Sequence, residues 1–145
     1  MCRVNYIFDE GIKMKIRIVS SRDEINTLNP NEKIIHLAFR PSNQDIFSLV
    51  IRCPQVKALH VPSSYKRTIS DSVKMYLKMQ GIQLIEGDVW GHRKDINEYY
   101  EISQDIFDRL NKWRTDGMPE TDIIEKLKRE TRLSPDLISF LVKNY

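Results

Sequence analysis

The chain has 145 residues, 41% hydrophobic and 30% charged, and its 23 Lys and Arg against 20 Asp and Glu leave a formal net charge of +3. That length excludes a large multidomain enzyme and fits one compact domain or two very small ones. The apolar share is too high for a disordered chain, and no run approaches the ~20 apolar residues of a membrane span. A mild basic excess permits an anionic partner without requiring one.

Cys2 and Cys53 stand far apart and form no spaced framework, so the expected setting is a reducing cytoplasm, not a disulfide-built secreted fold. Residues 1–13 lack a basic start, a long apolar stretch and a small-residue cleavage site, so they do not read as a secretion signal. They are expected to be an upstream start or loose arm before Met14, with a weaker edge strand at residues 4–8.

From residue 15 the chain alternates short apolar runs with helical patterns. Residues 15–19 (KIRIV) read as a strand, and Ser21-x-x-Glu24 as a capping box opening a short helix that stops at Asn29-Pro30. Residues 33–39 (KIIHLAF) suit a strand covered on both faces. Ser42 caps a helix carrying Ile46, Leu49, Val50 and Cys53, ended by Pro54. Residues 56–61 form a third expected strand, followed by a helix from about Thr68 or Ser70 with Ile69, Val73, Tyr76 and Leu77 on one face, stopped by Gly81. Residues 82–86 form the fourth. Four strands separated by helices imply an α/β fold with a short parallel sheet, whose strand order the sequence leaves open.

After His92 the pattern reads as helix throughout. Ile96, Tyr99, Ser103, Ile106, Leu110 and Trp113 trace one stripe of a long helix. Pro119 starts another with Ile123, Ile124 and Leu127. Ser134-Pro135 then opens a third, with Leu137, Ile138, Leu141 and Val142 on its face. The expected organisation is therefore an N-terminal arm over 1–13, an α/β part over 14–92 and a C-terminal three-helix part over 93–145.

The phrases HLAFRPSNQDIF, VPSSYKRTIS, GDVWGHRKDINEY and ETRLSPDLI resemble a small family of uncharacterised archaeal proteins from methanogens. The resemblance runs from Met14 to the C-terminus and implies a native start at Met14 and an archaeal cytoplasmic protein. It carries over no activity, cofactor or site residue.

In an open parallel sheet, ligands bind outside the carboxyl ends of the strands. The four loops expected there all carry an arginine, and three carry serine at a helix start. Helix-start amides and Arg forks match phosphate or carboxylate oxygens, so an anionic, phosphate-bearing small molecule is the leading expected partner. The candidate ligand-binding residues are Arg40, Ser42, Asn43, Ser63, Ser64, Lys66, Arg67 and Arg93. Taken one loop at a time, serine is usually just a cap and a surface arginine is usually just solvated; the convergence of four loops carries the reading.

In GDVWGHR, Asp88 and His92 suit a general acid–base or orienting pair, the basis of a small-enzyme alternative. A domain junction plugged by Trp90, with Asp95 capping the next helix, is favoured over catalysis. His36 and His60 lie inside expected strands and read as core or rim histidines. With no close-spaced ligand pair in the chain, no metal site is expected. There is no GxGxxG, GxxxxGK[ST] or GxSxG, and no cofactor is predicted.

The helical tail offers the other alternative, a nucleic-acid-associated regulator. Leu127, Leu133, Ile138 and Leu141 fall where a helix-turn-helix needs apolar residues, and Ser134 starts the recognition helix. Against it stand Lys128 where a small residue is preferred, Thr131 at an apolar position and Arg132 at the turn glycine. Residues 1–92 hold 13 basic and 9 acidic side chains, net +4, while residues 93–145 hold 10 and 11, net −1. The cluster Lys126, Lys128, Arg129 and Arg132 suits phosphate contacts or a solvated face, and the charge balance favours a plain helical hairpin. A homo-oligomer is compatible with the sequence, and no membrane partner is expected.

Overall fold

A computed structural model of the chain describes residues 12–89 and 98–145. Its centre is a five-stranded sheet in the order β4-β3-β2-β1-β5. Strands β1 (Ile12–Val19), β2 (Ile34–Leu37), β3 (Ala58–Val61) and β4 (Gln83–Glu86) run parallel, and β5 (Tyr99–Ser103) lies antiparallel on the far side of β1. The four parallel strands are those the alternating pattern predicts. All four residues of both β2 and β3 are buried, as a strand covered on two faces requires.

The connections begin where the sequence places its caps. Glu24 accepts the backbone N–H groups of Ser20 and Ser21, each at 3.0 Å, and starts a 3-10 helix over Arg22–Thr27. Helix α1 (Asn43–Arg52) opens on a reciprocal box: Asp45 N–H donates to Ser42 Oγ at 3.1 Å and Ser42 N–H to the Asp45 carboxylate at 2.8 Å. A single turn, α2 (Ser63–Lys66), precedes α3 (Asp71–Met79), which Ser70 caps and Gly81, at φ +75°, follows. The tail carries α4 (Gln104–Thr115), α5 (Glu120–Glu130) and α6 (Pro135–Asn144).

One expectation is overturned. Residues 99–103, read as part of a long helix, form β5. Tyr99, Tyr100 and Ile102 are good strand formers, and pairing satisfies the backbone groups that the edge of β1 would otherwise expose. Tyr100 and Ile102 join the core on one face, while Tyr99 points to the other and donates its hydroxyl proton to Glu32, with Lys15 and Arg17 over its ring. The three-to-four spacing becomes a real helix only from Ile106 onward. β1 also begins at Ile12, inside the stretch expected to be a loose arm. The suggested strand at residues 4–8 lies outside the described residues, as do Ile96 and Asp95.

The sheet separates two apolar clusters. Ile35, Leu37, Leu59 and Val61 pack with Ile25, Ile46, Leu49, Val73 and Leu77 from the 3-10 helix, α1 and α3. Ile16, Ile18, Ile34, Ala58, Ile85 and Ile102 pack with Phe107, Leu110, Ile123, Leu127, Ile138 and Leu141 from α4–α6. Alternate residues of each strand thus serve opposite faces. Among the described residues, no helix is long and apolar enough to cross a membrane.

Candidate functional site

On the face covered by α4–α6, one row across the sheet reads Ile18, His36, His60, Ile85, each paired in register with the next. The two central positions are imidazoles, both fully buried. Their Nδ1 atoms lie 2.8 Å apart, with the rings tilted at 48°. His60 Nε2 lies 2.8 Å from Ser134 Oγ, and His36 Nε2 lies 3.5 Å from Asp88 Oδ1. Ser134 is the N-cap of α6 and also accepts the Leu137 N–H at 3.3 Å.

Hydrogen-bond chemistry orders the protons in this row. Ser134 Oγ accepts the Leu137 N–H, which leaves its own hydroxyl proton to donate to His60 Nε2. His60 must then donate from Nδ1, and its Nε2 carries a lone pair towards the Ser134 hydroxyl. Burial pushes the His60 imidazole down to about 4, against the opposing pull of the Asp88 and Asp136 carboxylates, so the ring is neutral near pH 7. The resulting arrangement is directional: Ser134 O–H to His60 and His60 N–H to His36, with the Asp88 carboxylate 3.5 Å beyond His36 Nε2.

Gly87 makes the approach feasible. Its φ is +149°, and a Cβ there would stand 2.2 Å from Ser134 Cβ and 2.8 Å from His60 Nε2. Nearby, the Glu86 N–H donates to Asp136 at 2.9 Å, a second tie between the sheet and α6. A cavity of about 370 Å³ opens here, at the carboxyl ends of β3 and β4, lined by Ser63, Glu86, Gly87, Asp88, Leu133 and Ser134 among others.

The cavity occupies the rim where the sequence expects a ligand, but Glu86 and Asp88 give its lining an acidic character. The expected cations lie along another part of the rim. The Arg40 guanidinium stacks over the Tyr65 ring at 5.2 Å, and Ser70 Oγ donates to Asn43 at 3.4 Å, so the loops after β2 and β3 meet. Arg40, Ser64 and Arg67 are exposed there, and Lys66 is half-buried. Ser42 is committed to its cap, and Arg22 makes a forked contact with Asp45. Arg93 and His92 lie outside the described residues, as does Trp90; Asp88 is found beside His36. Among the described residues, no group of three His, Cys, Asp or Glu side chains is arranged to hold a metal ion.

From the sequence, His36 and His60 read as core or rim histidines, and Ser134 as an N-cap that starts a recognition helix in the helix-turn-helix alternative. A signal for the first pair was present, because IIHL and ALHV put histidine at the third place of successive strands. The contact with Ser134, 74 residues from His60, follows from tertiary packing alone.

The tail presents two helices, α5 and α6, joined by residues 131–134. A model described as the C-terminal HTH domain of a protein of unknown function (DUF1699) matches residues 105–143, and one described as the N-terminal domain of the same family matches residues 15–98. The chain belongs to the DUF1699 family. No curated protein and no solved structure matches it. The preference for a plain helical hairpin is thereby corrected, and the local structure explains how the three mismatches are absorbed. Lys128 is exposed and pairs with Glu125 at 3.3 Å. Thr131 returns its hydroxyl to Leu127 O at 2.7 Å. Among the described residues no non-glycine has a positive φ, so the DUF1699 turn is made without a left-handed residue at Arg132.

Proposed function

We propose that this DUF1699 protein is nucleic-acid-associated and contacts phosphates through the C-terminal half of α5 and the following turn. The helix-turn-helix description of residues 105–143 carries this reading. Lys126, Lys128, Arg129 and Arg132 form the basic edge of that unit. Of the carboxylates beside them, Glu125 pairs with Lys128 at 3.3 Å and Glu130 is engaged by Arg109 at 2.7 Å. In a standard helix-turn-helix the first turn of the second helix meets the bases. Here that turn, at Ser134 and Asp136, is tied to His60 and to the Glu86 amide. Phosphate contact, not base reading, is therefore the mode this arrangement favours.

Fluorescence anisotropy with a labelled DNA duplex across a salt series tests it. Affinity is expected to fall log-linearly with salt, and Arg129→Gln with Arg132→Gln to reduce the slope by about two. No binding at low salt, or an unchanged slope in the double variant, refutes it.

A second reading, an anionic and phosphate-bearing small ligand at the strand-end rim, is favoured by the meeting of the loops after β2 and β3. Among the described residues Arg40, Lys66 and Arg67 form no ion pair with a carboxylate, which leaves their charge available. A thermal-shift screen with phosphate, nucleotides and phosphosugars should show stabilisation that Arg67→Ala removes. No shift with any anion rules it out.

A further inference from the structure

We propose that Ser134 is a nucleophile activated by His60, with His36 and Asp88 as positioning residues, and that the adjoining cavity accepts a small uncharged or cationic carboxylic ester. Three separate observations converge on this. First, the proton order of the row leaves a lone pair on His60 Nε2 at 2.8 Å from Ser134 Oγ, which is the nucleophile–base contact of acyl transfer. Among the described residues, Ser134 Oγ is the hydrogen-bond partner of that Nε2. Second, Ser134, itself buried, is among the residues that line the cavity. Third, Gly87 removes the side chain that would otherwise fill the gap between His60 and Ser134.

A purely structural role explains the row less well. Two imidazoles replace aliphatic residues at the centre of a row flanked by Ile18 and Ile85, in a sheet where apolar side chains would pack without matched donors. A helix cap needs only an acceptor oxygen, and gains nothing from two hydrogen-bonded imidazoles behind it. Volume and charge define the substrate. About 370 Å³ fits a short acyl ester, and Glu86 and Asp88 in the lining oppose an anionic one.

The chemistry balances with water as co-substrate. Ser134 Oγ attacks the ester carbonyl as its proton passes to His60 Nε2, and a carbon–oxygen bond forms. The imidazolium charge is shared through Nδ1 with His36 and faced by Asp88. Collapse breaks the bond to the alcohol, whose oxygen takes the proton from His60, leaving acyl-Ser134. Water then attacks the acyl carbon as it gives a proton to His60, and the acid departs as Ser134 regains its hydroxyl hydrogen.

The test uses the full-length protein with an alkyl fluorophosphonate, which forms an O–P bond with an activated serine and releases fluoride. Peptide mapping is expected to place one adduct on Ser134. His60→Gln should slow labelling by about 100-fold or more. Asp88→Asn, at a half-exposed position, should move the acidic limb of the pH–rate profile to lower pH, because its carboxylate no longer favours the imidazolium alongside Asp136. An acidic limb unchanged in Asp88→Asn overturns the positioning role of Asp88. Folded wild-type protein with no adduct on Ser134 overturns the proposal without recourse to any variant. Labelling that is unchanged in a folded His60→Gln protein also overturns it.

Discussion

His36 and His60 are register partners on adjacent parallel strands, and their Nδ1 atoms meet at 2.8 Å inside the apolar layer between the sheet and α4–α6. Neighbours in register on one face lie close enough to touch, so a cross-strand pair of this kind is fixed by the sheet and not by side-chain choice. One proton must serve both facing nitrogens. That requirement, with the Ser134 hydroxyl donating at one end, gives the row its direction.

Acid should weaken the fold through this pair. The His60 imidazole is held at about 4 against an ordinary 6.5, first by burial, with Asp88 and Asp136 opposing. Its folded value is depressed, so below 6.5 the unfolded chain takes up a proton that the folded one refuses. Stability is complete above 6.5, falls as pH drops towards 4 and levels below it, by up to about 3 kcal/mol from this group. Urea unfolding from about pH 7 down to about pH 4.5 should show the loss, and a folded His60→Leu variant should show less of it. Equal losses in both proteins would exclude His60 as the source.

Gly87→Ala should separate α6 from the end of the sheet. The added methyl would meet Ser134 and His60 at distances no packed atoms tolerate, at a φ that side chains rarely adopt. A cost of roughly 2 kcal/mol or more is expected, read as a lower denaturant midpoint. Wild-type stability in this variant would mean that the close approach of Gly87 to Ser134 is not a feature of the folded protein.

Cys53 should be inert in the native state. Burial pushes its thiol up to about 11, aided by Glu32 and opposed by Arg52 and Arg17. Relative to an ordinary thiol, its thiolate fraction is lower by roughly 100-fold. Iodoacetamide followed by residue-level peptide mapping should modify Cys53 only after denaturation. Rapid native alkylation at that position contradicts the packing of α1 against the sheet.

Asp45 ties the first crossover to the second. Burial alone would raise its carboxyl, but the Ser42 N–H and the Arg22 guanidinium outweigh this and hold it below the usual range. The stability it confers is present above the ordinary carboxylate value and disappears as pH falls through the depressed one. Asp45→Asn should cost about 1–2 kcal/mol at neutral pH, and the wild-type advantage should vanish in strong acid. A pH-independent difference would point to packing in place of charge.

The repeating units of this chain announce themselves in its amino acids. Ser42, Ser70 and Ser134 cap the helices they precede, and Pro54 and Gly81 stand just beyond helix ends, because caps and breakers act within one turn of chain. Strand order is not legible, since nothing local distinguishes a central run from an edge one. β5 escaped because Tyr99, Ser103 and Ile106 happen to keep a helical interval through a stretch that pairs with β1. At the site, Asp88 and the loop serines were visible as polar residues at strand ends. Their association with two core histidines was not, because it depends on register across β2 and β3 and on where α6 lands. The basic loops divided for a related reason. Arg22 found Asp45, a partner 23 residues away, while Arg40 found the face of Tyr65.

The placement of β4 and β5 at opposite margins of the sheet bears on how this protein can be cut and inherited. The helices that follow β5 return across the sheet until α6 meets β4, giving Ile16, Ile18, Ile34, Ala58, Ile85 and Ile102 a helical roof. A fragment ending before α4 would leave that surface bare, and the helices alone would bare its complement. The two stretches that family models separate are thus halves of one folding unit. Neither is a transferable module, and they can be expected to travel through evolution together.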